Sequence, residues 1–301
     1  MNKLFIDIET YCKLDLAKVG VYKYASDPSF EILLLGYSED GGDVKVVDLA
    51  NGEVIPQHII DAILDDTTEV WAFNCSFERV CLSNYFKKLY LKPNKFYCSM
   101  IHSGYLGLPL SLEKVGYVLD LDSKKLDTGK SLISVFCKPC EPTKSNGGIT
   151  RHTKVDSPDK WELFKEYNKR DIEALIEIHN REMKFPVPEY VWKIYHLNER
   201  MQDYGIRIDS KLVEQAIAMD SKNTEENLEK ATSITNLNNF NSPLQLKQWL
   251  IEQGQNVDSL GKSEIKRLLE GATGYIEEAL RLRQELSKTS NKKYVVMRDA
   301  L

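Results

Sequence analysis

The chain has 301 residues, 42% hydrophobic and 28% charged, with a formal net charge of −5. That composition excludes a disordered chain, and no run of about 18 apolar residues is present to span a bilayer. The length exceeds one typical domain of about 100–200 residues, so two are expected; Asp7 interrupts the apolar run that a signal peptide would need, so a cytosolic location without membrane contact is expected.

Nucleic acid is bound through Lys and Arg, so the negative balance argues against it at first sight. Net charge is a poor test, because a site for divalent cations needs local carboxylates while basic residues occupy other parts of the surface. Six cysteines, at Cys12, Cys75, Cys81, Cys98, Cys137 and Cys140, contain a single CxxC pair. One pair falls short of a zinc ligand set, so buried reduced thiols are expected.

In chain order, Leu4 to Ile8, Glu31 to Tyr37, Val44 to Leu49 and Val70 to Phe73 are short apolar runs that favour strands. The turn signal Asp40-Gly41-Gly42-Asp43 predicts a hairpin between the second and third, hence a mixed sheet. Gln57 to Leu64, Ser76 to Leu89, Ser111 to Leu119 and Lys125 to Phe136 have helical patterns, giving an α/β domain. A flexible basic loop is expected from about Lys138 to Ser157, before a helix that opens at Pro158 and runs past Ile178. Pro186 and Pro188 mark the expected boundary, with domains at 1–186 and 187–301. The second domain reads as helical, with helices near Glu189 to Tyr204, Ser210 to Ala231, Ser242 to Gln253, Lys262 to Leu269 and Tyr275 to Met297.

Three short pieces carry candidate chemistry. Asp7-Ile8-Glu9-Thr10 ends the first strand, where residues two apart share a face, so Asp7 and Glu9 can present two carboxylates together. Asn74-Cys75-Ser76-Phe77-Glu78 lies where an apolar strand runs into a helix start. Tyr167 and Asp171 stand at i and i+4 on the helix after Pro158, on one face. Each has a plainer explanation: a solvated strand end, an acid complementing a helix dipole, an aromatic packed beside a surface acid.

In this order the three pieces resemble the proofreading 3′→5′ exonucleases of the DEDD superfamily, with motifs D-x-E, N-x-x-x-[DE] and, in the tyrosine subclass, Y-x-x-x-D. Asp7 and Glu9 match the first, Asn74 and Glu78 the second, Tyr167 and Asp171 the third. The histidine subclass would carry His where this chain has Glu166. One departure is Glu78, where many members have Asp.

The resemblance implies a ribonuclease H-like mixed sheet and two divalent cations, Mg2+ or Mn2+. Asp7, Glu9 and Asp171 would hold one cation, and Asp7 with the scissile phosphate the other. Glu78 would reach the second through water, and Tyr167 would orient the nucleophile. Thr10, Asn74 and Phe77 would line the slot for a single-stranded DNA 3′ end. Oxygen donors suit such cations, which stabilise both the attacking and the leaving oxygen of a phosphodiester.

The resemblance continues into the second domain. Leu197 to Asp209 is similar to the segment opening the polymerase region of family A DNA polymerases, and Phe240-Asn241-Ser242-Pro243-Leu244-Gln245-Leu246 is similar to an element of their thumb. Read alone, these are a helix C-cap at Gly205 and an N-cap at Ser242. Arg281, Arg283, Lys288, Lys292 and Lys293 would face duplex phosphates, or form a solvated helix face.

The chain ends at Asp299-Ala300-Leu301 before any palm or fingers sequence. It is therefore expected to be a fragment or a separately encoded piece, with the polymerase portion on the same or another chain and no polymerisation of its own. The pattern looks closest to phage-type members, which would place it in a host cytoplasm. Two other readings stay open: a catalytically silent module guiding a primer end to a partner polymerase, and an RNA-trimming DEDD exonuclease.

Overall fold

The computed structural model describes residues 1–87, 89–121 and 129–300. Contacts divide them into two compact units, Met1–Ile206 and Arg207–Leu301.

The first unit is built on strands β1 (Lys3–Tyr11), β2 (Glu31–Glu39), β3 (Lys45–Asp48), β4 (Glu69–Ala72) and β5 (Phe96–Cys98), ordered β3-β2-β1-β4-β5. β1, β2 and β3 form an antiparallel meander, while β4 pairs parallel to β1 and β5 parallel to β4. This is the mixed sheet the sequence implied, with the hairpin at residues 40–43. The helices are α1 (Leu16–Ser26), α2 (Gln57–Leu64), α3 (Cys75–Tyr85), α4 (Ser99–Tyr105), α5 (Leu112–Val118), α6 (Gly129–Phe136), α7 (Pro158–Glu182) and α8 (Glu189–Tyr204).

Side-chain alternation along β1 feeds two layers. Leu4, Ile6 and Ile8 pack with Ile59 and Ile63 of α2 and Val80 of α3. Phe5 packs on the other face with Ile172, Leu175 and Ile178 of α7. Each fully buried aliphatic side chain contributes about 1.5–3 kcal/mol. Asp7 and Glu9 continue the Phe5 alternation, so the sheet turns both towards α7. Beside Glu9 the β1–β2 register slips: Glu9 pairs with Leu34 but Thr10 with Ile32. Leu33 and Leu34 consequently join one apolar cluster, with Phe136, Trp161, Phe164 and Tyr167.

Three elements went unforeseen. β5 has three residues, too few to show an alternation. α1 is interrupted at Gly20, whose φ of 75° breaks the helical period. α4 is only seven residues long. The helix expected from Lys125 is seen from Gly129; residues 125–128 lie outside the described residues, as does Lys88 in the stretch expected as Ser76 to Leu89.

The division between units falls after Ile206, later than the expected boundary at 186/187, because α8 packs on the first core. Trp192 meets Trp71 and Tyr97 at ring separations of 5.6 and 5.1 Å, and Arg79 forms buried ion pairs with Glu199 and Asp203. Proline ends a helix locally but does not decide which core the next helix covers.

The second unit is helical, as expected: α9 (Ser210–Thr235), α10 (Pro243–Glu252), α11 (Lys262–Gly271), α12 (Gly274–Leu286) and α13 (Lys292–Ala300). Asp209 caps α9 by accepting from Leu212 N, and Ser242 caps α10 by accepting from Gln245 N. Phe240, Leu246, Leu250, Ile265 and Leu280 form its core. The single helix expected from Tyr275 to Met297 is instead α12 and α13, separated by Ser287-Lys288-Thr289-Ser290-Asn291, where Ser, Thr and Asn compete with the helical backbone. Among the described residues, no helix is long and apolar enough to cross a membrane.

Candidate active site

α7 lies across the face of β1 that carries Asp7 and Glu9. One ligand atom from each of Asp7, Glu9 and Asp171 lies within 4.8 Å of the others. Three acids separated by up to 164 positions thus converge because β1 alternates and α7 presents Asp171 one turn beyond Tyr167. The Tyr167 hydroxyl is hydrogen-bonded to Asp171. Its ring lies parallel to Phe164 with centroids 6.4 Å apart, and it is nearly fully buried. Burial, and then the negative charge of Asp171, Glu9 and Asp7, pushes the phenol pKa well up, so it stays protonated.

Glu78 reaches this neighbourhood by another route. β4 stops at Ala72 while β1 continues to Tyr11, and the chain turns through Asn74 (φ 71°) into α3. Asparagine tolerates this left-handed conformation, which gives Asn74 a backbone role. Glu78 follows in the first turn of α3, buried, with Oε2 lacking a hydrogen-bond partner among the described residues. Burial first, then Asp7, raises its pKa well above the usual carboxylate range. Glu78 therefore stands beside Asp7 but outside the close triplet.

This donor set fits a hard divalent cation. Close carboxylates repel unless a cation compensates them, and oxygen ligands suit Mg2+ or Mn2+. The orphaned Glu78 oxygen is the kind of buried acceptor that a metal-bound water can satisfy.

Glu9 and Thr10 also border a cavity of about 580 Å³, lined further by Lys13, Tyr24, Phe77 and Lys138. Thr10 Oγ1 is hydrogen-bonded to the Tyr24 hydroxyl at 2.9 Å, and Phe77 packs against Tyr24 with ring centroids 6.2 Å apart. Thr10 and Phe77 are thus brought to one cavity beside the acids. Asn74 is exposed and does not line it. Arg281, Lys288 and Lys292 belong to the second unit, where Arg281 pairs with Glu277, Lys288 pairs with Glu285, and Lys292 is exposed at the start of α13.

Several neighbours of the acids escaped the sequence analysis. Tyr24 sits on the unforeseen α1. The buried Cys137 thiol donates to Glu9 Oε2 at 3.8 Å, and burial raises its pKa. Asn168 donates to Asp7; its place between Tyr167 and Asp171 was the available signal. Among the described residues, Asp7, Glu9 and Asp171 form the cluster suited to a metal, and it does not include Cys137 or Cys140. The loop expected to be flexible is fastened. Cys140 N donates to Thr150 O at 2.9 Å, and Arg151 donates to both Glu31 carboxylate oxygens while stacking on Tyr11.

Among known proteins, the chain is 42% identical over 302 aligned residues to the DNA polymerase of Bacillus phage SP02. The chain is related along its whole length to a phage DNA polymerase. It spans 46% of that polymerase's own length. No family model matches. Of solved structures, the POL domain of Pol1 from M. smegmatis, in complex with DNA primer-template and dNTP, gives a TM-score of 0.48 at 12% identity, covering 98% of this chain and 44% of that one. Escherichia coli RNase D, an exoribonuclease, gives 0.37 at 15% identity, covering 97% and 71%. Brucella melitensis NrnC with bound Mg2+ gives 0.39 at 13%, covering 66% and 80%.

Proposed function

We propose that the chain is a metal-dependent 3′→5′ exonuclease that releases nucleoside monophosphates from DNA ends, the proofreading part of a phage-type polymerase. The observation that carries this is the convergence of Asp7, Glu9 and Asp171, with the Tyr167 hydroxyl bonded to Asp171. Kinship with a phage DNA polymerase supports DNA over RNA as substrate. The intact acids favour an enzyme over a silent guide module.

Asp7, Glu9 and Asp171 would hold divalent cations, with Glu78 acting through water. When bound, such cations stabilise charge on the attacking and leaving oxygens of the phosphodiester. Tyr167, held protonated, orients the attacking water against Asp171 and is not the base. The cavity beside Glu9 receives the terminal nucleotide: Phe77 and Tyr24 offer aromatic surface to the base, and Lys13 and Lys138 stand at its wall for phosphates. The second unit would contact duplex DNA through Arg281, Lys288 and Lys292, with a polymerase portion on the same or a separate chain.

The test is a time course on 3′-labelled and 5′-labelled DNA strands, and on RNA, with and without Mg2+. Mononucleotide release from the 3′ end of DNA, lost in Asp7→Ala, is expected. A wild-type rate in Asp7→Ala would falsify the assignment, and preference for RNA would move the substrate to the RNA-trimming class.

A further inference from the structure

Directly opposite Asp7 across the β1–β2 ladder stands Gly36. Directly paired strand residues point to the same face, so a side chain at 36 would stand beside Asp7 under α7. That place is taken by Asn168, which descends from α7. A Cβ added at Gly36 would lie 2.6 Å from Asn168 Oδ1 and 3.0 Å from Ile172 Cγ1. From there Asn168 Nδ2 donates to Asp7 Oδ2 at 2.7 Å and reaches the main-chain oxygen of Asp7 at 3.4 Å. One amide group therefore spans the carboxylate and the carbonyl of the same residue. Asn168 is 0% exposed, and its Oδ1 has no hydrogen-bond partner among the described residues. Leaving a buried acceptor unsatisfied costs about 1–3 kcal/mol, so packing alone would favour an apolar residue of this size.

We propose that Asn168 is a positioning residue for Asp7, and that Gly36 is the vacancy in the sheet that admits it. By holding Oδ2 and the backbone together, Asn168 fixes the plane of the Asp7 carboxylate in the orientation that meets Glu9 and Asp171. It supplies neutral hydrogen-bond donation where three acids would push one another apart. An uncharged donor does this without competing for the cation, whereas Lys or Arg at 168 would replace it. The inference rests on the metal-site reading above and adds to it the pair that aims one ligand.

The experiment is Mn2+ titration of the whole 301-residue chain, read by the loss of the free-ion electron paramagnetic resonance signal, with thermal unfolding recorded for every variant. Asn168→Ala and Asn168→Leu, the latter keeping the volume but removing the donor, are expected to weaken Mn2+ binding about 10- to 100-fold. Gly36→Ala should reproduce that loss by displacing Asn168. Gly36→Ala combined with Asn168→Ala should bind no worse than Asn168→Ala alone, because the added methyl then takes space that Asn168 has left and meets only the flexible end of Ile172, at 3.0 Å. Wild-type affinity in Asn168→Leu overturns the proposal, as do additive losses in the double variant. Asp7→Ala separates this from the parent reading: if it binds Mn2+ as wild type does, the metal site itself falls, and if it alone loses binding, only the role of Asn168 falls.

Discussion

Arg79 donates through its two terminal nitrogens to the two carboxylate oxygens of Asp203, at 3.0 and 2.6 Å, across 124 positions of sequence. The pair joins α3, which carries Glu78, to α8, and Asp203 also accepts from the hydroxyls of Tyr22 and Tyr90. Arg79 is 2% exposed and Asp203 12%. Removing one partner of a buried pair strands the other, at a cost of about 3–5 kcal/mol. Arg79→Met, which strands both Asp203 and Glu199, is expected to lower unfolding stability by that amount in urea titration. Asp203→Ala should cost less, because Glu199 still pairs with Arg79 at 3.2 Å.

Gly129 faces the ring of Tyr167 so closely that a methyl group there would overlap it. Gly129→Ala should therefore displace the phenol from Asp171 and slow nucleotide release about 100-fold, the scale of a misplacement of about 1 Å. Tyr167→Phe keeps the ring but loses the hydroxyl. Adding Gly129→Ala to it should then cost little more, and single-turnover rates of the three variants check this.

Glu182 is buried, accepts from Ser103 Oγ at 2.5 Å, and has its pKa lifted by burial from 4.5 to about 7. Burial lowers the pKa of His102 beside it, which disfavours a compensating charge there. The folded state retains this proton more firmly than the unfolded chain does. Its contribution to stability is therefore full below pH 4.5 and is lost as pH rises through about 7. Glu182→Gln should flatten that profile and exceed wild type by about 2–3 kcal/mol at pH 8, measured by urea unfolding at pH 5 and 8.

In the second unit, a groove along α9 is lined by Asp220, Glu225 and Glu229, which disfavours phosphate on that side. Arg281 and Lys288 are each offset by a neighbouring glutamate, whereas Lys292 has no acid within ion-pair distance among the described residues. If α13 meets duplex phosphates, Lys292→Ala should reduce the slope of log K against log salt by about one. An unchanged slope removes Lys292 from the DNA surface.

What the sequence made legible follows physical range. Period-2 alternation told that Asp7 and Glu9 share a face, and the i, i+4 rule placed Tyr167 beside Asp171. Both are local rules, and the resemblance of the three motifs supplied the long-range step that brought them together. Gly36 and Asn168 lay outside such reasoning, because their meeting depends on strand register and on the height of α7 above the sheet. β5 and α4 were too short to show a period. α8 was assigned across the proline break because only its contacts with Arg79, Trp71 and Tyr97 reveal where it belongs.

The register slip beside Glu9 makes the second strand sensitive to its length. Two successive leucines, Leu33 and Leu34, rest under the aromatic file that ends at Tyr167. Deleting one of them would straighten the ladder, thin that bed by a whole side chain and let the file sink, silencing the phenol while every acid stays in place.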